Sequence, residues 1–126
     1  MPAQYIAKVI LKFSAAHKII GHTGGCQNLH GHNWSVEVEA CAHELDELGI
    51  SVDFSVIKTI ARKYTDKWDH TYLNEIPPFD KINPTSENLS KWLYKEIEGQ
   101  LNTSNIKLVA VTVWETETCS VRFSQN

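Results

Sequence analysis

Hydrophobic and polar residues alternate along the first part of the chain. Apolar side chains occupy every second position over residues 5–15, and His17 continues the same parity. A second alternation over residues 34–40 places His30 and His32 on its apolar side. Because successive side chains of a strand point to opposite faces, both patterns predict half-buried strands.

The middle of the chain follows a helical period instead. Apolar residues recur at steps of three and four over residues 57–68 and again over residues 89–101, which predicts two amphipathic helices. Residues 84–87, Pro-Thr-Ser-Glu, are typical of a helix start because they offer a hydroxyl cap and an early carboxylate. Two closing strands are predicted at residues 107–114 and 120–123.

This order of elements predicts an α+β fold in which two helices cover one face of a sheet. The sequence contains no repeat or linker, so we expect a single domain over residues 1–126. A small open sheet has exposed edge strands, which proteins commonly manage by assembly or by covering them. We therefore expect an oligomer.

Composition narrows the possible partners and the compartment. The formal net charge is −3 with no run of lysine and arginine, which makes nucleic acid and anionic membranes poor partners but does not exclude an anionic substrate. The three cysteines are odd in number and widely spaced, which indicates a reducing, cytoplasmic compartment. The first residues do not resemble a signal peptide, and no apolar run approaches the roughly 20 residues of a membrane span.

Three histidines form the clearest candidate site. His30 and His32 are two residues apart on a predicted strand and therefore point to the same side, with only Gly31 between them. His17 ends the preceding strand, so an antiparallel pairing of the two strands would bring all three rings together. Three imidazoles suit Zn²⁺ and leave one position for water or substrate. A lone histidine is more often a core or capping residue, an alternative that applies to His17 more than to the set.

Cys26 stands four residues before His30 and leaves three alternatives open. It could be a fourth zinc ligand that closes a structural site, an ordinary buried thiol, or a nucleophile or base. In the last case a nearby metal would favour the thiolate. Spacing alone does not choose among them.

Several carboxylates lie at the ends of predicted elements. Asp69 precedes His70 after the first helix, where a carboxylate can orient an imidazole for proton transfer or simply cap the helix. Glu87 lies in the first turn of the second helix. Glu115 follows the valine-rich strand and is either a residue of a pocket floor or a solvated exit residue.

Taken together, these residues resemble the 6-pyruvoyl-tetrahydropterin synthase superfamily over nearly the whole chain. The resemblance is carried by five segments in a specific order and spacing: Phe13-Ser14-Ala15-Ala16-His17, Cys26-Gln27-Asn28-Leu29-His30-Gly31-His32, Asp69-His70, Pro84-Thr85-Ser86-Glu87 and Trp114-Glu115-Thr116. The gap of three residues between the cysteine and His-Gly-His is similar to that of the 6-carboxy-5,6,7,8-tetrahydropterin synthases of the queuosine pathway. The pyruvoyl branch typically has a longer gap.

The resemblance implies the tunnelling fold, a four-stranded antiparallel sheet with two helices that trimerises into a β-barrel and stacks as a hexamer. It implies a cytoplasmic zinc-dependent lyase that converts 7,8-dihydroneopterin triphosphate to 6-carboxy-5,6,7,8-tetrahydropterin, acetaldehyde and triphosphate. The implied zinc ligands are the three histidines, His17, His30 and His32. Cys26 as a thiolate would take a proton, and Asp69 with His70 would form a second acid/base pair that reaches a site across a subunit boundary.

The substrate contacts implied by the resemblance lie at the other motifs. Glu115 would anchor the pterin by accepting from the ring N–H and the exocyclic amino group. Thr85 and Ser86 would line the same pocket, and Glu87 is either a second pterin contact or a charge at the helix N-terminus. Lys18, where relatives often carry arginine, is a candidate triphosphate contact.

Two other functions stay open. One is a 6-pyruvoyl-tetrahydropterin synthase on the same fold, which expels triphosphate but retains the three-carbon side chain. The other is a non-catalytic zinc-binding structural module in which Cys26 closes the metal site.

Overall fold

The computed structural model describes residues 3–21 and 28–125. Within these ranges the chain forms one sheet and two α-helices, with a short 3₁₀ helix at Leu73–Glu75. In chain order the elements are β1 (Tyr5–His17), β2 (His30–Ala42), α1 (Phe54–Trp68), β3 (Thr71–Tyr72), α2 (Ser86–Leu101), β4 (Ile106–Trp114) and β5 (Ser120–Phe123). The α+β class predicted from the sequence is confirmed.

The two long strands pair along their whole length. β1 and β2 run antiparallel, and the register matches Tyr5 with Ala42 at one end and His17 with His30 at the other. β4 pairs antiparallel with β2, and β5 with β4, which gives the order β3-β1-β2-β4-β5. The four strands predicted from alternation are therefore present and antiparallel to one another.

The predicted strand count of four is nevertheless wrong, because the sheet has a fifth strand. β3 pairs parallel with Ala15 and Ala16 of β1, so the sheet is mixed. A strand of two residues is too short to show any alternation of apolar and polar side chains. The pairing is made by tertiary structure instead: His70 has a positive φ of 59°, and its N–H donates to the Ser14 carbonyl as the chain leaves α1.

Both helices cover the same face of the sheet, as predicted. The inward residues of β1 and β2 share one buried cluster with Ile57 and Ala61 of α1 and Leu89 and Leu93 of α2. Aromatic rings fill the end of this core near the histidines, where Phe13 packs between two tryptophans, Trp34 and Trp68. None of the described helices is long and apolar enough to cross a membrane.

The opposite face of the sheet carries charged side chains together with exposed apolar ones such as Ile6 and Ile10. Lys8 on β1 forms an ion pair with Glu37 on β2 (3.5 Å), and Arg122 on β5 donates to Glu39 (2.9 Å). The indole N–H of Trp114 donates to Glu37 at 3.1 Å. This uncovered surface, which we call the open face, is therefore crosslinked by charged side chains rather than packed by a third layer.

Candidate metal centre

The structure brings the three histidines together at one end of the sheet. The ring of His17 lies with its centroid 4.5 Å from that of His30 and 5.1 Å from that of His32, and the last two are 4.7 Å apart. Trp34 packs edge-on against two of the rings from the core side. His17 is almost fully buried at 2% exposure, and the side chains of the other two are about a quarter exposed. The site therefore opens on one side and is closed by apolar packing on the other.

Backbone carbonyls fix the orientation of two rings. Nδ1 of His17 lies 2.8 Å from the Pro84 carbonyl oxygen, and Nδ1 of His30 lies 2.6 Å from that of Asn28. Because a carbonyl oxygen only accepts, each Nδ1 carries a proton, and in the neutral ring each Nε2 then keeps its lone pair. Such contacts to the second nitrogen are the usual way that proteins orient histidine ligands of a metal.

Glu115 completes the cluster. Its Oε1 lies 3.0 Å from Nε2 of His17, 3.0 Å from Nε2 of His32 and 4.0 Å from Nε2 of His30. The four potential ligand atoms all lie within 4.8 Å of one another. No described group makes an aligned hydrogen bond to the buried Nε2 of His17 or His32, even though the carboxylate is in contact with both.

This donor set fits a divalent metal ion. The carboxylate is an acceptor, and the Nε2 atoms of neutral His17 and His30 rings carry lone pairs, so in that form these atoms lack donors of their own. Such a convergence is unfavourable unless a cation lies among them. Burial, the largest influence on His32, lowers its pKa below the ordinary value and so favours the neutral ring that binds a metal. Imidazole and carboxylate are both common zinc ligands.

Strand register explains how Glu115 reaches the histidines. Trp114, the last residue of β4, pairs with Ser35 on the open face, so the residue that follows falls on the helix-covered side, in line with Val111 and Val113. Continued alternation therefore carries the Glu115 side chain toward His32. The sequence prediction gave this residue a substrate contact but missed its proximity to the histidines. The same parity rule that grouped His17 with its strand could have revealed it.

A cavity of about 300 Å³ adjoins the histidine cluster. It is lined by His17 and Glu115 together with Thr85, Ser86 and Glu87 at the start of α2, and by residues of β5. The Thr85 hydroxyl accepts the N–H of Asn88 (3.1 Å), which confirms the predicted cap. Four of the residues predicted to contact substrate thus share one cavity with a predicted metal ligand.

Lys18, the other predicted substrate contact, lies outside the cavity that the other four line. Its backbone N–H donates to the side-chain oxygen of Asn74, and its carbonyl accepts from the amide nitrogen of the same side chain, at 2.9 and 2.8 Å. It does not belong to the lining of the cavity beside His17. The structure therefore gives this lysine no direct link to the other predicted substrate contacts.

Asp69 and His70 lie at the edge of the sheet beside β1, away from that cavity. Asp69 Oδ1 accepts the Ser14 N–H at 2.8 Å, and its Oδ2 lies 3.0 Å from Nδ1 of His70. The His70 side chain is 83% exposed and borders a second cavity, of about 360 Å³, that also touches His32. The structure thus forms the predicted carboxylate–imidazole pair but does not place it in the cavity with Glu115.

Cys26, the predicted base, lies outside the described residues. A contributor that the sequence did not reveal is Pro84, whose carbonyl orients His17 across 67 positions of the chain. A backbone acceptor leaves no signature in residue identity, and only the packing of the loop before α2 against the end of β1 brings it into contact.

The fold and the cluster define an α+β protein with a candidate metal centre beside a ligand-sized cavity. The sequence model of the family described as 6-pyruvoyl tetrahydropterin synthase matches residues 6–126. The chain belongs to this family, which confirms the resemblance seen in its motifs.

Relatives with assigned names support a particular branch. A 6-carboxy-5,6,7,8-tetrahydropterin synthase of Rickettsia bellii is 36% identical over 129 residues, covering 88% of this chain and 94% of the relative. An enzyme of the same name from Bacillus subtilis is 34% identical over 113 residues, covering 86% of this chain and 75% of its own.

Solved structures agree on the fold. The 6-pyruvoyl tetrahydropterin synthase of Caenorhabditis elegans superposes with a TM-score of 0.84 at 24% identity, covering 98% of this chain and 97% of that one. The Plasmodium vivax enzyme of the same name gives 0.73 at 20% identity, covering 97% and 99%. At these identities the likeness concerns the tunnelling fold and not the reaction.

Proposed function

We propose that the protein is a zinc-dependent 6-carboxy-5,6,7,8-tetrahydropterin synthase. It would convert 7,8-dihydroneopterin triphosphate to 6-carboxy-5,6,7,8-tetrahydropterin, acetaldehyde and triphosphate, as a cytoplasmic step toward queuosine. The observation that carries the proposal is the convergence of His17, His30, His32 and Glu115 beside a cavity, in a chain whose relatives bear that enzyme name.

The three histidines would hold the zinc ion. Zinc bound there would supply Lewis-acid polarisation of the hydroxyl groups on the substrate side chain. The chain's own contribution is orientation: the carbonyl contacts of His17 and His30 direct both Nε2 atoms at a common point before the metal arrives. Cys26 is proposed as the base that removes a side-chain proton.

The cavity beside the histidines would bind the pterin ring. Glu115 offers two carboxylate oxygens, which match the adjacent ring N–H and exocyclic amino group of a pterin. Thr85 and Ser86 at the start of α2 line the same cavity, as does Glu87. This arrangement supports Glu115 as the pterin anchor and the start of α2 as the wall of the pocket.

Asp69 and His70 would act as a second proton-transfer pair. The carboxylate contacts Nδ1 of the imidazole and thereby holds the proton there, which leaves Nε2 free to accept or deliver a proton. Because His70 is exposed at the sheet edge and outside the Glu115 cavity, we propose that the pair completes the site of a neighbouring copy. A hexamer built from two trimeric barrels would provide that neighbour.

Product analysis is the direct test. Purified, zinc-loaded protein is incubated with 7,8-dihydroneopterin triphosphate, and the products are identified by mass spectrometry. The proposal expects 6-carboxytetrahydropterin and acetaldehyde. A tetrahydropterin that retains a three-carbon side chain would establish the pyruvoyl activity on the same fold instead.

A change of Cys26 to Ala separates the enzyme from a structural zinc module. As a base, Cys26 is needed for turnover but not for the metal, so the variant should keep stoichiometric zinc and lose activity. If Cys26 instead closes a structural site, zinc is lost and the wild-type protein shows no turnover. Zinc content by elemental analysis and the product assay together distinguish the two results.

A further inference from the structure

We infer that Asn83 is a positioning residue for the candidate metal centre, where it sets the orientation of His17 without being a ligand itself. Its side-chain amide holds the chain just beyond β1, and the residue next to it, Pro84, orients the His17 ring. The consequence for metal binding rests on the metal site of the proposed function, whereas the orientation of the ring does not.

Side-chain amides continue the pairing of the outer β1 edge past the end of the sheet. β3 pairs with this edge as far as Ala16. Two residues further along, the side-chain amide of Asn74 accepts the Lys18 N–H and donates to the Lys18 carbonyl. The amide of Asn83 makes the same two bonds to Ile20, each 2.9 Å long. Because every second residue of an extended chain presents its N–H and C=O to the same side, the two amides occupy the positions of a neighbouring strand.

The Asn83 clamp and the carbonyl that orients the ring are adjacent in the chain. The Pro84 carbonyl oxygen lies 2.8 Å from Nδ1 of His17. The backbone at Asn83 is itself held to the start of α2, because its carbonyl accepts the Thr85 N–H at 2.9 Å and the Asn88 side-chain amide at 2.8 Å. The clamp therefore ties the loop that carries the carbonyl to the chain three residues after His17.

The position of His17 makes such a tie necessary. It is the last residue of β1, and its pairing with His30 is the last rung of the β1–β2 ladder. The ladder therefore does not restrain the chain beyond this residue, although the ring is 2% exposed and must point at the other histidines. One bond from a ring to a loop fixes the ring only if the loop and the chain after the ring are held together. The Asn83 amide joins these two parts directly.

Zinc affinity tests the inference without turnover, and Asn105 provides a matched control at the opposite end of the sheet. The Asn105 side chain accepts the N–H groups of His43 and Glu44 and donates to the Glu44 carbonyl, so Asn105→Ala also removes an amide clamp. Zn²⁺ is titrated against a chelating indicator into the wild type, Asn83→Ala and Asn105→Ala. Zinc binding should weaken about tenfold in Asn83→Ala and stay at the wild-type level in Asn105→Ala. Equal affinities in the three folded proteins would overturn the inference.

The His17 ring reports the clamp in the metal-free protein. Its Nδ1 proton, buried and bonded to the Pro84 carbonyl, should give a slowly exchanging signal in ¹⁵N-histidine NMR, identified by its absence from His17→Gln. Slow exchange should persist in Asn105→Ala and be lost in Asn83→Ala. Asn83→Asp keeps the acceptor for the Ile20 N–H but loses the donor, so its exchange rate should lie between those of the wild type and Asn83→Ala.

Two results of the NMR experiment separate the inference from the proposed function. Exchange at the wild-type rate in folded Asn83→Ala would overturn the positioning role, whatever the affinity for zinc. A wild-type protein that binds no zinc would remove the metal site of the proposed function. The His17 signal of the metal-free variants would then still decide whether Asn83 orients the ring.

Discussion

Asp69 joins the sheet edge to the imidazole beside it through its two carboxylate oxygens. One oxygen accepts the Ser14 N–H, and the other contacts His70. The bond from Ser14 is the main cause that holds the pKa of the Asp69 carboxyl below its ordinary value, and the imidazole adds to the effect. The folded state therefore prefers the ionised carboxylate more than the unfolded chain does.

The effect on stability should depend on pH. Since the pKa is lower in the folded state, the stabilisation is present above the unfolded-state pKa of about 3.9 and is lost as the pH falls through the folded-state value. Asp69→Asn keeps an acceptor for Ser14 but removes the charge. The stability difference between wild type and variant, from urea unfolding of metal-free protein, should stay nearly constant from pH 6 to about pH 5 and then shrink as the pH falls toward 3. A difference that stays constant down to pH 3 would contradict the assignment.

The sequence predicted that the three histidines come together, but it did not predict the contacts that complete the cluster. His17, His30 and His32 follow from strand parity, because alternation and an antiparallel register are enough to bring them together. The carbonyl of Pro84 and the approach of Glu115 depend on how α2 and β4 are placed against the first two strands. Such contacts depend on tertiary packing, and the local pattern of apolar and polar residues does not reveal them.

At the scale of elements, the start of α2 connects the fold to the cavity. The helix N-terminus leaves backbone N–H groups without helical partners, and the Thr85 hydroxyl accepts one of them from Asn88. The neighbouring Pro84 carbonyl is the acceptor that orients His17. The same short segment therefore caps the start of α2 and orients His17, a candidate metal ligand.

Loss of this cap should destabilise the protein by a modest amount. Thr85→Ala removes the acceptor and should lower the free energy of unfolding by about 1 kcal/mol, while Thr85→Ser, which retains a hydroxyl, should stay close to the wild type. Urea unfolding of the metal-free proteins measures both. Equal losses in the two variants would show that the methyl group, rather than the hydrogen bond, is responsible.

The elements themselves were largely predictable because each long segment carries its own period. Strands with apolar side chains at every second position and helices with an apolar stripe gave the right types and order. β3 was missed because it has two residues and pairs only after α1 has returned the chain to the edge of β1. β3 is a strand because it pairs with β1, and its own two residues carry no strand signal.

At the scale of the whole molecule, the sheet has a long open edge. The Ser14 N–H and carbonyl both face Asp69 and His70, away from β2. Because backbone direction alternates along a regular strand, the same groups of Ile10 and Lys12 also point outward. β3 covers β1 only at Ala15 and Ala16, so no strand of the described chain pairs with this edge earlier in β1.

An edge of this kind is suited to pairing with another copy, and a single substitution can test it. Ile10→Pro removes an outward N–H that the β1–β2 ladder does not use, so the subunit should fold but fail to assemble. Ile10→Ala, which keeps the N–H and loses the same exposed side chain, is the matched control and should still assemble. In sedimentation, the wild type and the alanine variant should have masses that are multiples of 14.3 kDa. The proline variant should have a mass of 14.3 kDa and the circular dichroism spectrum of a folded protein.

A wild-type monomer would remove the proposed hexamer, and an assembled proline variant would show that the interface lies on another surface. If the monomeric variant keeps its zinc but loses turnover, that result would support the proposal that His70 serves the site of a neighbouring copy.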